Sequence, residues 1–146
     1  MNSCLVLDTS VIIKWVRRGE VLADPALDLL NAYLAGHIRI LVPHLLAYEV
    51  GNVLRYKPEL TTPQIETALQ ALFDLDLDWV APSAAMTRRA VAIARDYETS
   101  VYDASFAALA ESVGGTLITA DERLARRMSP LTYVTSLGDL GMQKTA

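Results

Sequence analysis

Hydrophobic positions along the chain change their period repeatedly. Leu5-Val6-Leu7 is a continuous apolar run that stops at Asp8-Thr9-Ser10, and Val11 to Val16 follows as a helix. Asp24-Pro25 reads as a helix start, an N-cap followed by proline in the first turn. That helix carries Ala26, Leu27, Leu29, Leu30, Tyr33 and Leu34 and stops at Gly36. Ile38 to Val42 reads as a strand, and Pro43 opens a helix that reaches about Tyr56, before Pro58. Thr62-Pro63 starts another helix through Phe73. Leu75, Leu77 and Trp79 then alternate with Asp74, Asp76 and Asp78, a period of two that leads into Val80. Pro82-Ser83 begins a helix through Tyr97, and a further helix runs from about Tyr102 to Val113, closed by Gly114-Gly115. Thr116 to Thr119 is a strand, Asp121 to Met128 a short helix, and Leu131 to Thr135 a last strand before a polar tail.

Strands alternate with helices over nearly the whole length, which predicts an α/β layer fold with a mainly parallel sheet. Residues 1–146 are expected to form one domain, with a core over about residues 2–135 and a polar C-terminal tail. There is no internal repeat, linker or low-complexity segment. In open parallel sheets ligands bind outside the carboxyl ends of the strands, so acids at strand ends are the place to look for chemistry.

Three acids sit where a strand hands over to a helix or where a helix begins: Asp8, Asp103 and Asp121. Each has a plain alternative as an N-cap or first-turn acid. Glu49 is the exception. At about 100° per residue it shares a face with Leu45, Leu46 and Val53, where the pattern calls for an apolar residue. Asn52 lies near that face and is placed to orient Glu49 or a bound water, and Thr119 shares a face of the extended segment with Asp121. Buried carboxylates brought together repel and rise in pKa unless a cation holds them. Oxygen-only ligands suit Mg²⁺ or Mn²⁺, and a divalent cation points to phosphate chemistry.

Composition narrows the alternatives. The chain is 52% hydrophobic, enough for an ample core with some apolar surface left for a partner. The net charge of −4 counts against broad, sequence-independent duplex binding. No stretch approaches the roughly 18 consecutive apolar residues of a membrane span, Met1 to Leu7 lacks a basic region and its apolar run ends at Asp8, so no signal peptide is expected, and with a single cysteine a cytoplasmic location is. Cys4 is the single cysteine and lies in an apolar run, consistent with inert core. His37 and His44 lack metal-ligand spacing. The Asp74, Asp76, Asp78 series lacks the glycine and distal glutamate of a calcium loop and reads as a solvated face. Arg17-Arg18, Arg88-Arg89 and Arg126-Arg127 are basic pairs, solvated by default and phosphate contacts as the alternative.

The residues Leu5 to Ser10, Pro43 to Glu49 with Asn52, Tyr102-Asp103-Ala104, and Leu117 to Leu124 resemble, in order and spacing, the motif blocks of the PIN-domain family. The small single-domain plan is similar to the VapC-type toxins of bacterial and archaeal toxin–antitoxin pairs. The resemblance implies a five-stranded parallel sheet flanked by helices. It implies a metal-dependent endoribonuclease using Mg²⁺ or Mn²⁺, commonly a homodimer, silenced by a cognate antitoxin protein and acting on RNA. Asp8, Glu49, Asp103 and Asp121 match the family's acidic quartet, and Thr9, Ser10, Asn52 and Thr119 fall at positions that support it.

Other readings of the same residues are weaker. A phosphatase with a strand-end nucleophile needs a second Asp where this chain has Ser10, and a signalling receiver domain needs an acidic pair after the first strand and a Lys after the last. A non-catalytic PIN-fold protein-binding module is the alternative outside enzymology.

Overall fold

The computed structural model describes residues 3–16 and 21–140. Asn2, the Arg17-Arg18 pair and the last six residues of the polar tail lie outside the described residues. The elements in chain order are β1 (Ser3–Leu7), α1 (Thr9–Val16), α2 (Ala23–Leu34), β2 (Ile38–Pro43), α3 (Leu45–Arg55), α4 (Thr62–Asp74), β3 (Asp78–Val80), α5 (Ala84–Asp96), α6 (Val101–Val113), β4 (Thr116–Thr119), α7 (Glu122–Arg127) and β5 (Val134–Ser136). The five strands form one sheet in the order β3-β2-β1-β4-β5, and every pairing is parallel. The expected α/β architecture, a five-stranded parallel sheet flanked by helices, is the one found.

That order decides where a ligand can sit. The chain builds outward from β1 through β2 to β3, then returns to the other side of β1 to lay down β4 and β5. The reversal falls between β1 and β4, and the carboxyl ends of strands flanking such a reversal open into a crevice. Val6 and Leu7 point to opposite faces of β1, yet both are fully buried. The central strand is therefore covered on both sides, as parallel sheets require. Helix α6 packs on β1, β2 and β4 and pairs closely with α5, while α1 packs on α2 and α3. Among the described residues no helix is long and apolar enough to cross a membrane.

Local signals explain most element ends. Thr61 and Gln64 form a reciprocal capping box at the start of α4. Ser83 and Ser100 cap α5 and α6 by accepting from Met86 N and Asp103 N. Gly114 closes α6 at φ 63.

Four expected boundaries move. Helix α2 begins at Ala23, behind Leu22 at φ 64, so Asp24 sits in the first turn and not at the cap; Pro25 is tolerated there because the first-turn N–H groups have no helical partner in any case. Pro43 does not open a helix but ends β2 opposite Val80, and α3 starts at Leu45. Only Asp78–Val80 of the alternating run pairs as strand, because α4 continues to Asp74 and Asp76 turns the chain at φ 55; Phe73 stacks on Trp79 with ring centroids 5.0 Å apart. The last strand is Val134–Ser136 rather than Leu131 to Thr135. Leu137 behind it is fully buried, so packing extends past Thr135.

Two adjacent glycines separate conformational need from space. A Cβ on Gly115 would lie 2.6 Å from the carbonyl oxygen of Cys4 on β1, whereas one on Gly114 would meet nothing within 4 Å. Gly115→Ala is therefore expected to destabilise by about 1–3 kcal/mol, through a backbone clash where β4 joins β1. Gly114→Ala is expected to cost only about 1 kcal/mol, the penalty of a left-handed C-cap without glycine. Urea midpoints for the two variants test the ranking.

Candidate active site

Asp8 is the first residue after β1, where the chain turns into α1. Its carbonyl accepts from Val11 N and Ile12 N, and its own N–H donates across the crevice to the Ile118 carbonyl of β4 at 3.3 Å. The side chain is buried. Oδ1 accepts from Ser10 N (3.1 Å) and Ser10 Oγ (2.5 Å), and Oδ2 accepts from Thr119 Oγ1 (2.5 Å). Each hydroxyl has one proton to give, and both give it to Asp8. Their lone pairs accept from the next backbone amides: Ser10 Oγ from Ala120 N (2.8 Å) and Thr119 Oγ1 from Asp121 N (3.1 Å). Two hydroxyls thus stitch β1 to β4 around one carboxylate. Burial pushes the Asp8 carboxyl up from 3.8 to about 6; the hydroxyl donors oppose the shift and the charge of Asp103 adds to it.

Glu49 projects from α3, half-buried, and its Oε1 accepts from Thr9 Oγ1 at 2.6 Å. Its pKa is raised, first by burial and further by Asp103, against the pull of the Thr9 hydroxyl. Asp103 stands in the first turn of α6, half-buried, with Thr99 Oγ1 3.4 Å from its Oδ2. Burial raises its pKa too, and Asp121 adds to the shift. Asp121 caps α7, with Oδ1 accepting from Arg123 N (3.0 Å) and Leu124 N (3.1 Å).

The four acids therefore share one electrostatic neighbourhood at the sheet's switch point. Asp103 is common to it, felt by Asp8 and Glu49 and itself raised by Asp121. Among the described residues no Lys or Arg forms an ion pair with any of them. The donor set is all oxygen, which in chemistry fits a hard divalent cation that keeps several waters and takes one or two carboxylates. Asp8 and Asp103 would hold it, with Asp121 and Glu49 alongside. Among the described residues the acids do not close into a ready-made group of three ligands.

The supporting residues divide. Thr9, Ser10 and Thr119 each hydrogen-bond a carboxylate of the quartet. Asn52 does not; it is exposed and lines a groove with Tyr48, Arg55 and Phe73, while Glu49 is held by Thr9. Expected bystanders behave as such. His37 and His44 are exposed, Asp78 pairs with Arg39 at 2.8 Å, and Arg89 pairs with Glu111 at 2.9 Å.

A polar cleft of about 240 Å³ opens beside Asp103 and Asp121 and is lined also by Thr99, Arg123, Leu124 and Arg127. Larger cavities of about 300 and 540 Å³ contain none of the four acids. Thr99 and Arg123 are additions to the residues expected at the site. Their signal is present in the sequence as spacing: Thr99 lies four residues before Asp103, just ahead of the α6 cap, and Arg123 and Arg127 lie one helical turn apart behind Asp121.

Solved structures share this architecture. The crystal structure of PAE2754 from Pyrobaculum aerophilum superposes with a TM-score of 0.69 at 19% identity, covering 98% of this chain and 96% of that one. VapBC2 from Rickettsia felis, bound to a DNA fragment from its promoter, gives 0.69 at 17% identity over 91% and 98%. VapC20 from Mycobacterium tuberculosis, a Sarcin-Ricin loop cleaving toxin, gives 0.64 at 14% identity over 84% and 93%. At these identities the likeness is one of fold. No curated protein matches the chain. The family model of the PIN domain matches residues 5–128, a span that runs from β1 to the end of α7 and takes in all four acids. The chain belongs to the PIN domain family.

Proposed function

We propose that this protein is a Mg²⁺- or Mn²⁺-dependent endoribonuclease and the toxin of a type II toxin–antitoxin pair, acting in the cytoplasm. The observation that carries the reading is Asp8: a carboxylate buried at the switch point, repelled by Asp103 and without a cationic partner among the described residues. A buried charge left in that state is costly and persists where a ligand repays it. The fold shared with a Sarcin-Ricin loop cleaving toxin and with a VapBC pair supports RNA as substrate and an antitoxin as partner. A homodimer is part of the same reading.

A bound divalent cation supplies Lewis acidity and neutralises charge gathering on the phosphodiester. The residues do the rest. Asp8 and Asp103 would hold the cation, and the Ser10 and Thr119 hydroxyls keep Asp8 from turning away. Asp121 uses Oδ1 to cap α7 and would hold the cation directly or through a water. Glu49, with Oε1 taken by Thr9, takes the proton of the attacking water on Oε2 or orients that water. The water oxygen bonds to phosphorus, the bond to the 3′ oxygen breaks, and solvent protonates the leaving oxygen, giving a 5′-phosphate and a 3′-hydroxyl.

The test is incubation of mixed cellular RNA with purified, partner-free protein in Mg²⁺, Mn²⁺ or EDTA. Discrete fragments with 5′-phosphates, formed with metal and absent with EDTA, are expected. Among the described residues no three of the acids close into a metal-holding group, which leaves a second reading, a non-catalytic PIN-fold protein-binding module. Folded protein that cleaves nothing in either metal and shows no metal-dependent change in stability would establish that module instead.

A further inference from the structure

Helix α7 places Arg123 and Arg127 four residues apart, on one face and roughly 6 Å apart along the axis. Both line the polar cleft that holds Asp103 and Asp121. Neither guanidinium pairs with those carboxylates among the described residues. Arg127 Nη1 instead donates to the Glu98 carbonyl at 2.7 Å. Glu98 has φ 54, a left-handed conformation uncommon outside glycine and held in place only by its surroundings. The next two residues are Thr99, whose hydroxyl donates to Asp103, and Ser100, which caps α6. One strained turn thus fixes an acid of the site and a cation of the cleft together.

Acids alone repel a polyanion, so a strand delivered to Asp103 and Asp121 needs positive charge beside them. Arginine's planar fork matches phosphate oxygens in a bidentate way that a point charge does not. We propose that Arg123 and Arg127 form a clamp for a backbone phosphate of single-stranded RNA next to the bond cut at the acids, making both positioning residues. The inference rests on the nuclease reading.

The experiment measures binding of fluorescein-labelled single-stranded RNA across a KCl series, in an Asp8→Asn background that keeps the strand intact. Arg123→Gln, Arg127→Gln, the double variant and the exposed control Arg88→Gln are compared, and active-background cleavage of the same RNA is followed in parallel. Removing one phosphate-binding charge is expected to lower the log–log salt slope by about 0.7, a change that a merely structural role would not produce. Arg88→Gln should leave the slope alone. Arg123 is exposed and makes no side-chain hydrogen bond among the described residues, so Arg123→Gln reports even if Arg127→Gln loosens the α5–α6 turn. An unchanged slope in the double variant, with the parent cleaving RNA, overturns the clamp alone. A parent that neither binds nor cleaves RNA overturns the nuclease reading with it. Displacement of the RNA by polyglutamate but not by polyuridylate would make an acidic protein segment the occupant and overturn the RNA assignment.

Discussion

Asp8→Asn is expected to lower RNA cleavage by about a thousandfold while making the metal-free protein more stable at pH 8. On the proposed nuclease reading, the loss follows from removing a ligand charge for a cation that would be worth several kcal/mol to the transition state, at about tenfold per 1.36 kcal/mol. The gain follows from linkage. Asp8 has a folded pKa of about 6 against 3.8 for the free group. Between those values the folded state holds a proton that the unfolded state has released, so stability falls as the pH rises through the window. Above about pH 6 the full penalty is present, on the order of 3 kcal/mol for this buried group. Below about pH 4 it is absent. An asparagine carries no such charge, and the Ser10 and Thr119 hydroxyls can rotate to meet its amide. Thermal midpoints of the two proteins in EDTA should therefore differ by several degrees at pH 8 and converge near pH 4. Cleavage retained at the parent rate removes Asp8 from the site. A variant less stable than the parent at pH 8 contradicts the account of repulsion.

Cleavage at limiting metal is expected to drop as the pH falls through about 6, and the drop is expected to move to lower pH when metal is raised. Asp8, Glu49 and Asp103 all have raised pKa values, burial being the first cause in each. Protons thus compete with the cation in a range where ordinary surface carboxylates are already ionised. Metal binding requires the deprotonated ligands, so each equilibrium displaces the other. Titration of Asp8 alone gives about a tenfold loss between pH 7 and pH 5. Because the charge of Asp103 acts on Asp8, the groups titrate as a set, and the loss is expected to be steeper than that of Asp8 alone where a second carboxylate takes up its proton in the same range. Initial rates on one RNA over a grid of pH and Mn²⁺ concentration measure it. A rate flat from pH 5 to 7 at limiting metal, or a midpoint indifferent to metal, would show that these carboxylates do not bind the cation.

Much of this is readable from the chain because its causes are local. Apolar period, capping residues and glycine act within a few residues of themselves, so Thr116–Thr119, the Thr62 start of α4 and the Gly114 stop appear in the sequence much as they do in space. The four acids are legible for the same reason, each standing at an element's end or breaking an apolar face. The misplaced boundaries have tertiary causes: Pro43 is drawn into β2 by its pairing opposite Val80, and the Asp74–Asp78 run is divided between α4 and a three-residue strand.

The succession of strands and helices and the residue types at the strand ends follow from the local pattern of the chain. Packing of the whole sheet sets β4 beside β1, which brings Thr119 to a carboxylate 111 positions away and Ser10 to the amide of Ala120. Tertiary packing likewise makes Asp103 the common neighbour of the acids, places Asn52 on a different groove, and gives Arg123 and Arg127 a cleft shared with Asp103 and Asp121. The physical reason is that periodicity and capping report which face of an element is apolar and where it stops. Which elements then meet is set by burying those faces against one another, a condition on the whole chain that no short stretch of it encodes.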